Sequence, residues 1–243
     1  MASEVRIKYK HALFLNPYIE RSATNTMLLF PPTGLEYVAT SAKDFFDTIT
    51  LLDLRYEKDF ADTDKLLEFI SSSIDITCVG IGWDRHFEEI CHLLNRMPDN
   101  VPLVVGGYTA TEKVEELFKT CHTIDIIVRG EGEETIQEIL RGIAPKDILG
   151  ISYREGNRVL HNLNRPLPDV DSLAVPDRTF RRSEYKLAVN GINVANIAFD
   201  SVLSARGCPF DCKFCTFSFN PLGQKRNYAA RNVDSVVNEI QGL

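Results

Sequence analysis

Three observations predict an α/β fold. Short apolar runs recur along the first part of the 243-residue chain, four of the five end at or next to glycine or at Asn-Pro, and apolar residues at helical spacing follow them. Continuous apolar runs, as opposed to alternating ones, mark strands covered on both faces, as in a parallel sheet with helices on either side. Residues 8–144 therefore read as a doubly wound parallel sheet. Residues 145–195 read as a hairpin and linker, and residues 196–243 as the beginning of a second domain.

The first strand is His11-Ala-Leu-Phe-Leu15, closed by Asn16-Pro17. Pro31-Pro-Thr-Gly-Leu-Glu-Tyr-Val-Ala-Thr40 enters a helix, and Ile49-Thr-Leu-Leu-Asp-Leu54 is the second strand. Leu66, Leu67 and Ile70 then fall at helical spacing. Thr77-Cys-Val-Gly-Ile-Gly-Trp83 is the third strand, breaking at Gly-x-Gly, and Phe87, Ile90, Cys91 and Leu94 lie on one helix face. Residues 101–105 make the fourth strand, closed by Gly106-Gly107. Thr109-x-x-Glu112 has capping-box spacing ahead of Val114, Leu117, Phe118 and Cys121. Asp125-Ile-Ile-Val128 is the fifth strand. Gly130-Glu-Gly-Glu-Glu follows, leading to a helix with Ile136, Ile139 and Leu140. Beyond it, residues 148–153 and 158–160 form a hairpin about Glu155-Gly-Asn157. Residues 165–178 are a proline-punctuated linker, Ser201-Val-Leu-Ser204 is a strand opening the second domain, and Asn232 caps a helix bearing Val233, Val236, Val237 and Ile240.

Composition excludes several classes. A hydrophobic content of 44% and a charged content of 25% are ordinary for a soluble globular protein. A formal net charge of −7 gives no electrostatic case for nucleic acid or an anionic membrane. No apolar run approaches the roughly 18 residues that span a bilayer, and the N-terminus lacks the apolar core of a signal peptide, so a cytoplasmic location is expected. Cys78, Cys91 and Cys121 sit singly in apolar patterns as reduced core residues.

The remaining cysteines are the chemical centre of the sequence. Cys208, Cys212 and Cys215 have the spacing C-x3-C-x2-C, which can set three thiolates around one small volume. No histidine follows His161, so the loop holds no local fourth ligand for zinc. A thioredoxin-like Cys212–Cys215 pair or a zinc site with a distant ligand are the competing readings. A soft triad without a fourth local ligand suits a cluster with one iron left open.

Ser204-Ala-Arg-Gly-Cys-Pro-Phe-Asp-Cys-Lys-Phe-Cys215 resembles the signature loop of radical S-adenosylmethionine (SAM) enzymes. The resemblance implies that Cys208, Cys212 and Cys215 hold a 4Fe-4S cluster whose fourth iron binds SAM. It implies that Phe214 packs near the adenine, and that one electron cleaves SAM to a 5′-deoxyadenosyl radical. Lys213 and Arg206 are read as solvated surface charges. The core of such enzymes resembles a partial β/α barrel of about six units, so roughly 150 further residues are expected beyond the first strand, loop and helix.

A second resemblance covers the N-terminal half. Pro31-Pro-Thr-Gly-Leu-Glu-Tyr37, Val104-Val-Gly-Gly-Tyr108 and Asp125-Ile-Ile-Val-Arg-Gly-Glu-Gly-Glu133 are similar to the Rossmann-like cobalamin-binding domain found upstream of many radical SAM enzymes. Gly82, Gly106, Gly107 and Glu131 then lie on the carboxyl rim of the sheet, where ligands of such folds sit, and the resemblance implies that they meet cobalamin. An NAD site is disfavoured, because Thr135 takes the third glycine position of the fingerprint and Glu131, Glu133 and Glu134 repel a pyrophosphate. These acids suit the positive end of the following helix. The axial-histidine motif of many cobalamin domains is absent: Asn16-Pro-Tyr-Ile-Glu-Arg21 stands in its place, and His86 reads as a helix-start residue.

The resemblances together imply radical SAM chemistry on a small-molecule substrate, fed by an electron donor such as flavodoxin or ferredoxin. Cobalamin-dependent methyl transfer is the first expectation and an oxidative cyclase of the tetrapyrrole type the second. A non-catalytic cobalamin- or iron–sulfur-binding module and a zinc-stapled interaction protein are the readings from other classes.

Overall fold

The computed structural model describes residues 9–18, 30–189, 192–212, 214–215 and 217–243. Its centre is a seven-stranded sheet of β1 (Tyr9–Asn16), β2 (Phe46–Asp53), β3 (Ile76–Gly80), β4 (Leu103–Gly106), β5 (Ile126–Val128), β6 (Ile151–Glu155) and β7 (Arg158–His161). The strand order is β2-β1-β3-β4-β5-β6-β7. Neighbours from β2 to β5 pair in parallel, whereas β6 and β7 add as an antiparallel edge. The predicted hairpin thus extends the sheet. The order reverses at β1, and ligands of such sheets bind beyond the carboxyl ends of the strands at that switch point, here β1 and β3.

Side-chain alternation divides the core into two layers. Leu13, Leu15, Val79, Leu103, Val105 and Ile127 face one side, packed by α2 (Thr63–Ser73), α3 (Phe87–Leu94) and α5 (Val114–Thr120) through Leu66, Ile70, Ile90, Leu94, Leu117 and Phe118. Ala12, Phe14, Leu51, Cys78, Val104 and Val128 face the other side, against Ala39 of α1 (Thr33–Ser41) and Ile136 and Leu140 of α6 (Glu133–Leu140). Burial on both faces explains the unbroken apolar runs.

Two local expectations are corrected. The Thr109–Glu112 capping box does not form: Gly107 stands at the N-cap of α4 (Tyr108–Glu112), without a side-chain cap, and Thr109 lies buried inside the helix. Gly107 has φ +103°, and a Cβ there would lie 2.6 Å from the Ile81 carbonyl oxygen, so the chain turns where only glycine fits. Residues 201–204 form no strand. A hairpin of β8 (Lys186–Val189) and β9 (Ile192–Ala198) precedes them, and β10 (Ala205–Arg206) pairs with β11 (Ala229–Ala230) after them. Asn232 does cap α7 (Val233–Gln241), accepting the Asp234 amide at 2.9 Å. Among the described residues no helix is long and apolar enough to cross a membrane.

Candidate functional site

The carboxyl rim of the parallel strands meets the cysteine-bearing segment. Beyond β3, Gly82 has nothing within 4 Å of where a Cβ would lie, and Trp83 beside it is 60% exposed. The Tyr18 hydroxyl, 2.7 Å from both the amide nitrogen and the carbonyl oxygen of Trp83, ties the end of β1 to this turn. His86 occupies the start of α3 with φ +59°, its ring contacting Arg85 and Glu89, in keeping with a helix-start role. Gly106 packs in ordinary contact range of Val128. Thr111 joins two rim turns: its hydroxyl donates to the Gly107 carbonyl at 2.8 Å and accepts the Gly130 amide at 3.0 Å.

Glu131 and Glu133 do more than favour a helix N-terminus. Arg206, read from sequence as solvated, is largely enclosed between them: its guanidinium pairs with Glu131 and reaches Glu133 at 2.5 Å. Arg226 takes the other Glu131 oxygen at 2.7 Å and donates to the Pro168 carbonyl at 3.1 Å. The Arg206 guanidinium also lies 5.0 Å from the centre of the Tyr37 ring. Burial alone would lower the Arg206 pKa, but Glu133 and Glu131 outweigh it and hold the group above its ordinary value. The correction has a physical reason: an arginine this enclosed must find carboxylates, and those nearest it lie over 70 residues upstream.

A second ion network fastens the same two regions. Arg181 bridges Glu36 at 2.5 Å and Asp200 at 2.6 Å, Arg178 reaches Glu239 at 2.7 Å, and Arg231 donates to Glu239 at 2.5 Å and to the Tyr37 hydroxyl at 3.2 Å. The buried face of α7 is therefore a glutamate, whereas Val233, Val237 and Ile240 are exposed.

The cysteine loop springs from β10. Gly207 has φ +81°, and a Cβ there would collide with the Asn227 and Arg226 carbonyl oxygens. The Cys208 amide donates to the Arg226 carbonyl at 3.3 Å, and the Cys215 amide to that of Cys212 at 3.0 Å. Cys208 and Cys215 are half-buried, Cys212 is exposed, and all three are free thiols. Phe214 is 91% exposed, and Lys213 lies outside the described residues. The donor set, three reduced soft ligands on a loop pinned at its base, fits an iron–sulfur cluster. Their side chains are not gathered here: among the described residues no three His, Cys, Asp or Glu side chains form a group that could hold a metal. The rim, with open backbone at Gly82, suits an extended ligand; Gly107 is already required by the turn against Ile81, and Glu131 is engaged by two arginines.

No local signal exposed Arg206, Arg226 or Glu133 as partners, because the pairs join residues distant in sequence. The one local hint is an arginine next to the Gly-Cys step.

Comparison with known proteins agrees with this arrangement. Residues 23–140 match the B12 binding domain family. An uncharacterized methyltransferase of Pyrococcus horikoshii is 30% identical over 220 residues, 88% of this chain and 46% of the relative. An anaerobic magnesium-protoporphyrin IX monomethyl ester cyclase of Cereibacter sphaeroides is 29% identical over 64% of this chain and 25% of its own length. The radical SAM methyltransferase TsrM of Kitasatospora setae, solved with cobalamin and a [4Fe-4S] cluster bound, superposes with a TM-score of 0.67 at 22% identity, over 96% of this chain and 46% of its own. The chain thus spans less than half the length of these relatives. Residues 23–140 thus match the B12 binding domain family, and the chain has the fold of the corresponding part of TsrM.

Proposed function

We propose that this chain provides the corrinoid-binding rim and the cluster loop of a radical SAM methyltransferase acting on a small molecule. The observation that carries the reading is that Arg206, two residues before the C-x3-C-x2-C loop, pairs with Glu131 and Glu133 on the carboxyl rim of a sheet that matches the B12 binding domain family. When bound, the cluster supplies the electron that cleaves SAM reductively, and cobalamin supplies a methyl carrier. Cys208, Cys212 and Cys215 would hold the cluster, the pinned base leaving the exposed tip of the loop free to draw the thiolates together. Phe214, exposed beside Cys215, offers an aromatic face for adenine. Gly82, Gly106 and Gly107 present backbone to the corrinoid.

An electron donor of the flavodoxin or ferredoxin type and a cytoplasmic setting complete the proposal. Likeness to the Cereibacter sphaeroides cyclase favours a second reading, in which the same parts serve oxidative ring closure.

Anaerobic reconstitution with iron, sulfide and hydroxocobalamin, followed by gel filtration, tests the assignment. The expected product carries both iron–sulfur and corrinoid absorbance, and a C208A/C212A/C215A variant keeps the corrinoid while losing iron. Retention of iron by that variant, or of zinc alone by the parent chain, would overturn it.

A further inference from the structure

We propose that Arg206 is a positioning residue: its guanidinium, clamped by Glu131 and Glu133, fixes the cysteine loop at a set place on the rim of the B12 binding domain. The inference rests on the reading that this loop holds the cluster. Arg206 precedes Cys208 by two residues, and nothing between them can absorb a change of direction. Gly207 is held at φ +81° against two carbonyl oxygens, and the Cys208 amide is bonded to Arg226. Where the guanidinium is placed, Cys208 is therefore placed as well.

The fork is aimed by its partners. Its two terminal nitrogens go to different carboxylates, one on the turn after β5 and the other in the first turn of α6, while the Tyr37 ring lies beside it. Planar two-point pairing fixes orientation in a way an ammonium does not. Arg226 closes the device from the far side: its side chain holds Glu131 at 2.7 Å while its backbone carbonyl holds Cys208. Simple adhesion between the two regions is a separate matter, since Arg181, paired with Asp200, also pairs with Glu36, and Arg231, held by Glu239, donates to the Tyr37 hydroxyl. What the Arg206 clamp adds is direction at the first cysteine. Residues that orient metal ligands without touching the metal commonly alter affinity by about 10- to 100-fold.

The test compares the reconstituted chain with R206K, R206Q, E131Q/E133Q and the triple variant R206Q/E131Q/E133Q, with R178K as a contact remote from the loop. Two properties are read: the rate at which a ferrous chelator strips iron, and the electron paramagnetic resonance line shape of the reduced cluster. R206Q and E131Q/E133Q are expected to lose iron about 10-fold faster, with broadened spectra. The triple variant should be no faster than either, since all three changes break one device. R206K should fall between, and R178K should keep the parent rate and line shape even if it melts earlier. A parent-like rate and spectrum in R206Q would overturn the clamp.

Hydrogen–deuterium exchange on the metal-free chain makes the test independent of the cluster. Faster exchange in a peptide spanning residues 204–212 of R206Q and R206K, with β1 and β3 still protected, supports the clamp; unchanged exchange there overturns it. A parent chain that takes up no iron would instead refute the cluster reading, and the exchange result would still decide the clamp.

Discussion

At the scale of single residues, the six cysteines divide into two chemical sets by environment. Cys78 lies within the sheet, and burial pushes its thiol up to about 12. Burial likewise raises Cys91 and Cys121, which face each other between α3 and the end of α5. The thiolate is the reactive form, so these three should be inert in the folded protein. Cys208, Cys212 and Cys215 reach solvent. Alkylation of the metal-free native chain at pH 8, read by peptide mass spectrometry, should modify the loop cysteines and spare the other three until denaturant is added. Rapid labelling of Cys78 in the native chain would contradict this core.

At the scale of elements, helices and strands were legible where one physical cause dominated. Parallel strands buried on both faces must be apolar throughout, so β1 to β5 stood out as runs. Amphipathic spacing marked α2, α3 and α6, whose apolar residues enter one layer or the other. The N-cap of α7 was equally legible, since an asparagine ahead of a helical pattern supplies the acceptor that a bare first turn lacks. Asn232→Ala should cost about 1 kcal/mol in a denaturant melt, whereas Asn232→Asp should keep most of it, because a carboxylate accepts the same amide. Equal losses in both would contradict the cap. Capping-box spacing at Thr109 misled because Gly107 starts the helix earlier and Lys113 interrupts it, with φ −108° and ψ 33°. The candidate site was half legible. The cysteine spacing and the rim glycines are local patterns, whereas the partners of Arg206 depend on which distant turn the fold brings beside the loop.

At the scale of the whole molecule, charge pairing joins the sheet domain to the segment that follows it, and this makes the junction sensitive to acid. Asp200 shows the sign. Burial alone would raise its pKa, but Arg181, the Ser201 amide and Arg178 outweigh burial and hold it below 3.8. A carboxylate depressed in the folded state contributes stability that is present above its unfolded value of about 3.9 and is lost as pH falls through the folded value. Asp200→Asn should therefore lower the melting temperature at pH 7. The gap to the parent should narrow steadily below about pH 4. A gap independent of pH would mean that the pair does not hold the junction. The exposed Val233, Val237 and Ile240 face of α7 belongs to this scale too, since its buried counterpart is a glutamate serving two arginines.

The central claim is that the cysteine loop on this rim holds a cluster with one iron open to SAM. Its most direct measurement is electron paramagnetic resonance of the anaerobically reconstituted, dithionite-reduced chain, with and without SAM. The account predicts a reduced 4Fe-4S signal that shifts when SAM is added and disappears in C208A/C212A/C215A. A signal indifferent to SAM, or a chain that retains zinc and shows no cluster signal, would contradict it.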